Sequence, residues 1–373
     1  MYPLLFRLLL RRLPAERAHA LAKTALRLVG TTPLGRAIVR RLVGDTDRYL
    51  ETQAFGLTFP TPLGVAAGLD KDAGWFEELG GLGFGFVEVG TITALPQAGN
   101  AGPRLIRLIR DRALLNRMGF PNPGAALTAQ RLARRSARPI VGVNIGKSMA
   151  VPVEAAGSDY RAAVRGLAPV CDYLVLNVSS PNTPGLRELQ GEEQLRSLVA
   201  EVRAELAALE CPRPLLLKLS PDLTDEQLAG LAALAVELGV EGIVAVNTTV
   251  DRAGLIDEEA ASLEDGGISG EPLRARAVQA LRCLRRAAGD RLGLVSVGGI
   301  ANAQDVWERI LAGATLVQVY TAFVYEGPAW PRRVNRELAR MVKAAGASSV
   351  QELVGSEGPK PVTPRSPTEA GPA

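Results

Sequence analysis

The sequence predicts an α/β protein whose main body is a (β/α)8 TIM barrel, and three observations predict it. Eight short apolar runs follow residue 60, they are continuous instead of alternating, and helical patterns fall between them. Continuous runs are strands buried on both faces, the pattern of an all-parallel sheet. Eight such units in roughly 280 residues suit a closed barrel, whereas a doubly wound sheet, ranked second, would need fewer strands or another domain.

In chain order the first element is helical. Ala18, Leu21, Ala22, Ala25, Leu26 and Val29 recur at amphipathic spacing, with Arg17, Lys23 and Arg27 mostly off that stripe, and Gly30 and Pro33 end the helix. A second short helix is expected from Leu34 to Val43. With the apolar Leu4, Leu5, Leu8 and Leu9 it completes an N-terminal arm, residues 1–45, whose apolar face needs a cover. Docking on the main domain and lying on a membrane surface would both use this stripe.

The barrel domain is expected over residues 46–350. Its strands run from Leu63 to Ala67, Phe84 to Thr91, Ile140 to Ile145, Tyr173 to Val178, Leu215 to Leu219, Gly242 to Asn247, Leu294 to Val297 and Leu316 to Val319. Helices follow, among them Glu192 to Leu209, Asp225 to Leu238, Leu273 to Ala288 and Asn302 to Ala312. Pro103 to Phe120 carries five arginines, too polar for a barrel strand, and reads as an excursion over one rim. Residues 351–373, rich in proline, read as a disordered tail.

Composition narrows the chemistry. A single histidine, His19, excludes multi-histidine metal sites and any serine–histidine pair that does not use it. Cys171, Cys211 and Cys283 are far apart and never in CxxC, which argues for a reducing compartment and against a disulfide framework or zinc ribbon. Tyr2 to Leu10 is broken by Arg7 and is neither a secretory signal nor a spanning helix. The net charge of +4 is uneven: residues 1–41 hold nine Lys/Arg and only Glu16, so the arm is basic and the body mildly acidic. An anionic partner follows for the arm, a membrane surface or a nucleic acid. Its aromatics, Tyr2, Phe6 and Tyr49, are too few and scattered for base stacking.

Barrel enzymes gather their catalytic residues at the C-terminal ends of the strands. Here those ends carry Ala67-Gly68-Leu69-Asp70-Lys71, Thr91, Asn144, Asn177-Val178-Ser179-Ser180-Pro181-Asn182, Lys218, Asn247-Thr248-Thr249, Gly298-Gly299 and Tyr320-Thr321. Gly267, Gly270, Gly298 and Gly299 would let backbone N–H groups approach a phosphate at a helix N-terminus. Asn116, Asn177, Asn182 and Asn247 both donate and accept, which suits a ring of alternating N–H and C=O groups, a pyrimidine or a flavin. Lys71 and Lys218 would meet a carboxylate or the negative charge of a reduced flavin. No carboxylate pair or cysteine cluster stands at these ends, so metal and glycosidase chemistry are poor candidates. Ser179 and Ser180 both remain as proton acceptors.

Five motifs carry a resemblance: Ala66 to Asp72 (AAGLDKD), Asn116 to Phe120 (NRMGF), Asn177 to Arg187 (NVSSPNTPGLR), Asn247 to Thr249 (NTT) and Gly266 to Gly270 (GGISG). In this order, over roughly residues 50–345, they resemble the dihydroorotate dehydrogenase family. Serine in the NVSSPN motif, with the helical arm, resembles its membrane-associated, quinone-reducing class. The resemblance implies an FMN enzyme of pyrimidine biosynthesis that oxidises dihydroorotate to orotate, passes electrons to a membrane quinone, and lies peripherally on the cytoplasmic side of the membrane. It implies FMN contacts from Ala67, Gly68, Leu69, Asp70, Lys71, Thr91, Asn144, Asn177, Lys218, Val246, Gly270, Gly299, Tyr320 and Thr321. For the substrate it implies Lys71, Asn116, Arg117, Met118, Gly119, Phe120, Asn177, Asn182, Asn247 and Thr248, with Ser180 as the base. His19 and Arg107 fall by resemblance near the quinone entrance. Val246 departs from the hydroxyl residue expected before the Asn-Thr pair.

Overall fold

The computed structural model describes residues 2, 6, 10–32, 35, 47–135, 139–257, 262–263 and 265–357. Its centre is a closed parallel barrel of eight strands: β3 (Leu63–Val65), β4 (Phe86–Ile92), β7 (Ile140–Ile145), β8 (Tyr173–Asn177), β9 (Leu215–Leu219), β10 (Gly242–Ala245), β12 (Gly293–Val297) and β13 (Leu316–Val319). They pair in that order and β13 closes on β3. The eight expected strands are these eight. β3 and β10 end two residues early, because the chain leaves the ladder to turn over the rim: the Gly68 N–H reaches the Gly90 carbonyl at 2.7 Å, and Asn247 N–H the Leu219 carbonyl at 2.8 Å.

Nearly every strand residue is buried, since one face packs on the helices and the other fills the barrel. The filling includes Phe59, Phe86, Tyr173, Val175, Leu216, Val244, Val295 and Leu316. Tyr173 needs room, and Gly142 supplies it: a Cβ there would sit 2.1 Å from the tyrosine ring. A hairpin without counterpart in the sequence reading, β1 (Thr52–Ala54) and β2 (Leu57–Phe59), plugs the lower mouth. Phe59 meets Phe86 edge-on at 5.3 Å and Phe55 lies 6.4 Å from Tyr173.

The arginine-rich excursion forms a sheet. β5 (Leu105–Leu108) and β6 (Ala113–Asn116) are an antiparallel hairpin, and β11 (Gly267–Gly270) pairs with β6. Its arginines turn outward: Arg104 meets Glu16 at 2.9 Å, and Arg112 meets Glu271 and Glu326 at 3.0 and 2.9 Å. The pairing with β11, some 150 residues away, is what local sequence cannot reveal.

The arm helix spans Ala15–Thr31. It docks on the barrel, but by only part of the expected stripe. Ala18, His19, Lys23 and Leu26 turn inward, while Leu21 (55% exposed) and Val29 (42%) of the stripe face out, as does Leu28. The docked face is partly ionic, Lys23 with Asp72 and Glu16 with Arg104, so an apolar count misassigns it. The expected helix from Leu34 to Val43, and Leu4, Leu5, Leu8 and Leu9, lie outside the described residues. At the other end, residues 351–357 belong to the body instead of the tail. Gly355 and Glu357 N–H groups bond Ile310 and Leu311 carbonyls at 3.0 Å, and Arg282 holds Glu357. Residues 358–373 lie outside the described set.

Candidate active site

Two adjoining cavities open at the C-terminal rim and share Ala67, Lys218, Asn247, Thr248, Ser269 and Tyr320. The first is walled by Val246, Gly270, Gly298, Gly299 and Thr321. Gly299 sits at φ +71°, and a Cβ on it would lie 2.4 Å from the Arg274 Cα, so only glycine brings this backbone to the wall. Behind the turn, buried Arg309 donates to the Gly298 carbonyl at 2.9 Å and to the Arg274 carbonyl at 3.1 Å, a support the sequence reading missed. Of the four glycines expected there, Gly267 does not join. It pairs with Asn116 in the three-stranded sheet.

The second cavity is walled by Gly68, Lys71, Thr91, Asn116, Met118, Gly119, Phe120, Asn177, Ser180 and Asn182. Its amides form two hydrogen-bonded groups. Asn177 donates to Thr91 at 2.9 Å and to Asn144 at 3.2 Å, and its oxygen accepts from Asn247 at 3.2 Å. Asn182 donates to the Asn116 side chain at 3.0 Å, which fastens the strand-end loop to β6. Such mutual bonding fixes which amide edge each residue turns to a ligand.

The two serines separate here. Ser179 is occupied: its hydroxyl bonds the Asn177 oxygen at 3.1 Å and accepts from Asn247 at 2.9 Å. Ser180 lines the cavity and accepts the Asn182 N–H at 3.3 Å, leaving its proton uncommitted among the described residues. Arg187 holds the loop, donating to the Ser179 carbonyl at 3.2 Å and pairing with Asp222 at 2.8 Å. Thr183 nearby in sequence is buried and its hydroxyl lacks a partner among the described residues.

Four expected contacts stand off the cavities. Leu69 is in the core, and Asp70 is wholly buried, accepting from the Gly74 and Trp75 N–H groups at 2.9 and 3.0 Å. Burial pushes the Asp70 carboxyl up to about 7, against the pull of those two bonds. Asn144 lies one layer behind, donating to Glu88 at 2.7 Å. Arg117 reaches outward toward Asp265 at 3.9 Å.

The lysines differ. Burial, and secondly the neighbouring Arg104 guanidinium, draws Lys71 down to about 8; its ammonium donates to the Gly68 carbonyl. Lys218 is paired from below by Glu88 at 3.6 Å, a residue the sequence reading passed over inside a strand.

On the arm side, His19 packs edge-on against Trp75 at 5.4 Å, and burial followed by the charges of Lys71 and Lys23 draws it down to about 4. Arg107 donates to the Leu13 and Arg11 carbonyls. Neither lines the cavities. Between arm and cavity lies an apolar cluster of Phe6, Leu114 and Tyr325 with Tyr2, Leu105 and Tyr320 around it. Leu105, Leu114 and Tyr320 also line the second cavity.

A glycine wall fit for a phosphate beside an amide-lined pocket, at the rim of a parallel barrel, defines the flavin-dependent barrel oxidoreductases as the class. The comparisons narrow it, for the family model described as dihydroorotate dehydrogenase matches residues 49–342. The chain belongs to the dihydroorotate dehydrogenase family. It is 51% identical over 362 residues to a dihydroorotate dehydrogenase (quinone) of Thermobifida fusca, covering 95% of this chain and 96% of that one. It is 52% identical over 356 residues to one of Mycobacterium tuberculosis, covering 95% and 98%. A crystal structure of DHODH in complex with ferulenol from Eimeria tenella superposes with a TM-score of 0.80 at 36% identity, covering 87% of this chain and 95% of that one.

Proposed function

We propose that FMN is the flavin of this chain, which oxidises dihydroorotate to orotate and delivers the electrons to a quinone. The observation that carries the reading is the meeting of four asparagines, Lys71 and Ser180 around one cavity that joins the glycine-walled cavity at Lys218. The residues present fit FMN: Gly270, Gly298 and Gly299 offer backbone to a phosphate, and the Lys218 ammonium, which lines both cavities, offers donors to a ring. When bound, FMN supplies the two-electron acceptor for the hydride leaving C6 of the substrate.

The chain's own part is positioning and proton removal. Asn116, Asn177, Asn182 and Asn247 hold the pyrimidine ring by its alternating donors and acceptors, and Lys71 meets the carboxylate. Ser180 takes the C5 proton. Its hydroxyl is a weak base, so the proton leaves through a neighbouring hydroxyl such as Thr183 or through water. The apolar cluster of Phe6, Leu114 and Tyr325 is the quinone approach, with His19 and Arg107 fixing the arm that covers it. The outward Leu21 and Val29, on a basic arm, lie on the cytoplasmic face of the membrane as a peripheral contact; no helix among the described residues is long and apolar enough to cross it.

The test is oxidation of dihydroorotate by purified yellow protein, with a quinone, fumarate and NAD as rival acceptors. Quinone should be preferred. A protein that dihydroorotate does not bleach under anaerobic conditions would overturn the proposal.

A further inference from the structure

Beneath the flavin cavity the barrel interior is not filled as the rest of it is. Elsewhere its axis holds aromatic and branched apolar side chains. Here it holds Glu88, fully buried, on β4. A buried carboxylate is costly unless its oxygens are bonded and its charge is met. Glu88 has all of this from three different strands. One oxygen accepts from Asn144 of β7 at 2.7 Å, the other from Gln318 of β13 at 2.5 Å, and the Lys218 ammonium of β9 stands 3.6 Å away.

Lys218 belongs to both cavities, whereas Glu88 lines neither. The lysine thus has a ligand-facing side and a side turned to an anion that no ligand reaches. We infer that Glu88 is a positioning and charge-balancing residue: it anchors Lys218 and Asn144 under the flavin and offsets part of the lysine's positive charge, thereby lowering the flavin's midpoint potential. This inference rests on the flavin reading of the site. Reduced flavin carries negative charge, so an uncompensated cation beneath it stabilises the reduced form more than the oxidised one. The carboxylate restrains that preference in a low-dielectric interior, where a charge so close is weakly screened.

The test compares Glu88→Gln, Glu88→Met and Glu88→Asp as purified holoproteins, with FMN affinity and midpoint potential measured at one fixed pH. The two neutral variants differ in hydrogen bonding, so a failure of one to fold leaves the other. Both are expected to favour reduced over oxidised FMN by about tenfold more than the unaltered protein, an upward shift of about 30 mV for a two-electron couple. Glu88→Asp keeps the charge and should stay near the original potential. A neutral variant whose potential is unmoved or lowered overturns the inference, as does an equal shift in Glu88→Asp, which would assign the effect to packing. Unaltered protein that binds no FMN would instead remove the flavin reading itself.

Discussion

Ser180→Ala and Ser179→Ala, made side by side, probe the assignment of the base most directly, because the two hydroxyls are adjacent yet differently used. Ser179 is held by two hydrogen bonds, to Asn177 at 3.1 Å and from Asn247 at 2.9 Å. Removing them costs about 1 kcal/mol each, so about 2 kcal/mol and at most roughly thirtyfold if all of it fell on the barrier. Much of that loss should appear in substrate affinity, since Asn247 is left held by Asn177 without its bond to Ser179. Ser180 has one long bond, from the Asn182 N–H at 3.3 Å, and its loss as a bond is minor. As a base it is worth about 10² to 10⁴ in rate, or roughly 3–5 kcal/mol. Anaerobic stopped-flow reduction of the flavin by dihydroorotate separates the two, with FMN still bound in both variants. The only histidine stands on the arm against Trp75, so no imidazole activates Ser180, and the rate should rise with pH. Ser180→Cys should retain part of the rate and shift the profile downward, since a thiol ionises near ~8.5. Equal slowing by both alanine variants, or hardly any by Ser180→Ala, would refute the assignment.

Lys71 carries its charge below about pH 8 and loses it above, because burial and Arg104 disfavour the ammonium. Orotate binding, followed by the flavin spectrum, should therefore hold up to about pH 8 and weaken beyond it, and Lys71→Arg should extend the range; a flat profile would count against Lys71 as the carboxylate partner. Asp70→Ala orphans a buried N–H group at Trp75 and a partly buried one at Gly74, and should lower stability to denaturant by about 2 kcal/mol while leaving FMN affinity nearly unchanged. Weakened FMN binding at unaltered stability would return Asp70 to the cofactor wall. Deleting residues 1–43 removes Phe6 from the apolar cluster and the Lys23 and Glu16 ion pairs, and should impair quinone reduction more than flavin reduction by dihydroorotate. A folded truncated protein with full quinone turnover would contradict that division.

The barrel was legible in the sequence because its signal is local: β7, β9 and β13 coincide with their apolar runs to the residue, each run being dictated by burial on both faces. The rim was legible for a related reason. A closed parallel barrel puts every strand's C-terminal end on one side, so residues at the ends of the runs must converge whatever lies between them, and Asn177, Lys218 and Asn247 did. Which atom each residue offers was not legible. Asp70 and Lys71 are neighbours in one motif, yet one side chain caps two N–H groups in the core and the other faces the cavity, because a turn sends successive side chains to opposite sides. Glu88 was hidden inside an apolar run, and only closure of the barrel brought Asn144, Gln318 and Lys218 around it from three other strands. The docked face of the arm helix was misjudged for the same cause. Its partners, Asp72, Trp75 and Arg104, are ionic and aromatic groups remote in the chain, and helical periodicity counts hydrophobicity along one element without knowing what the other surface presents.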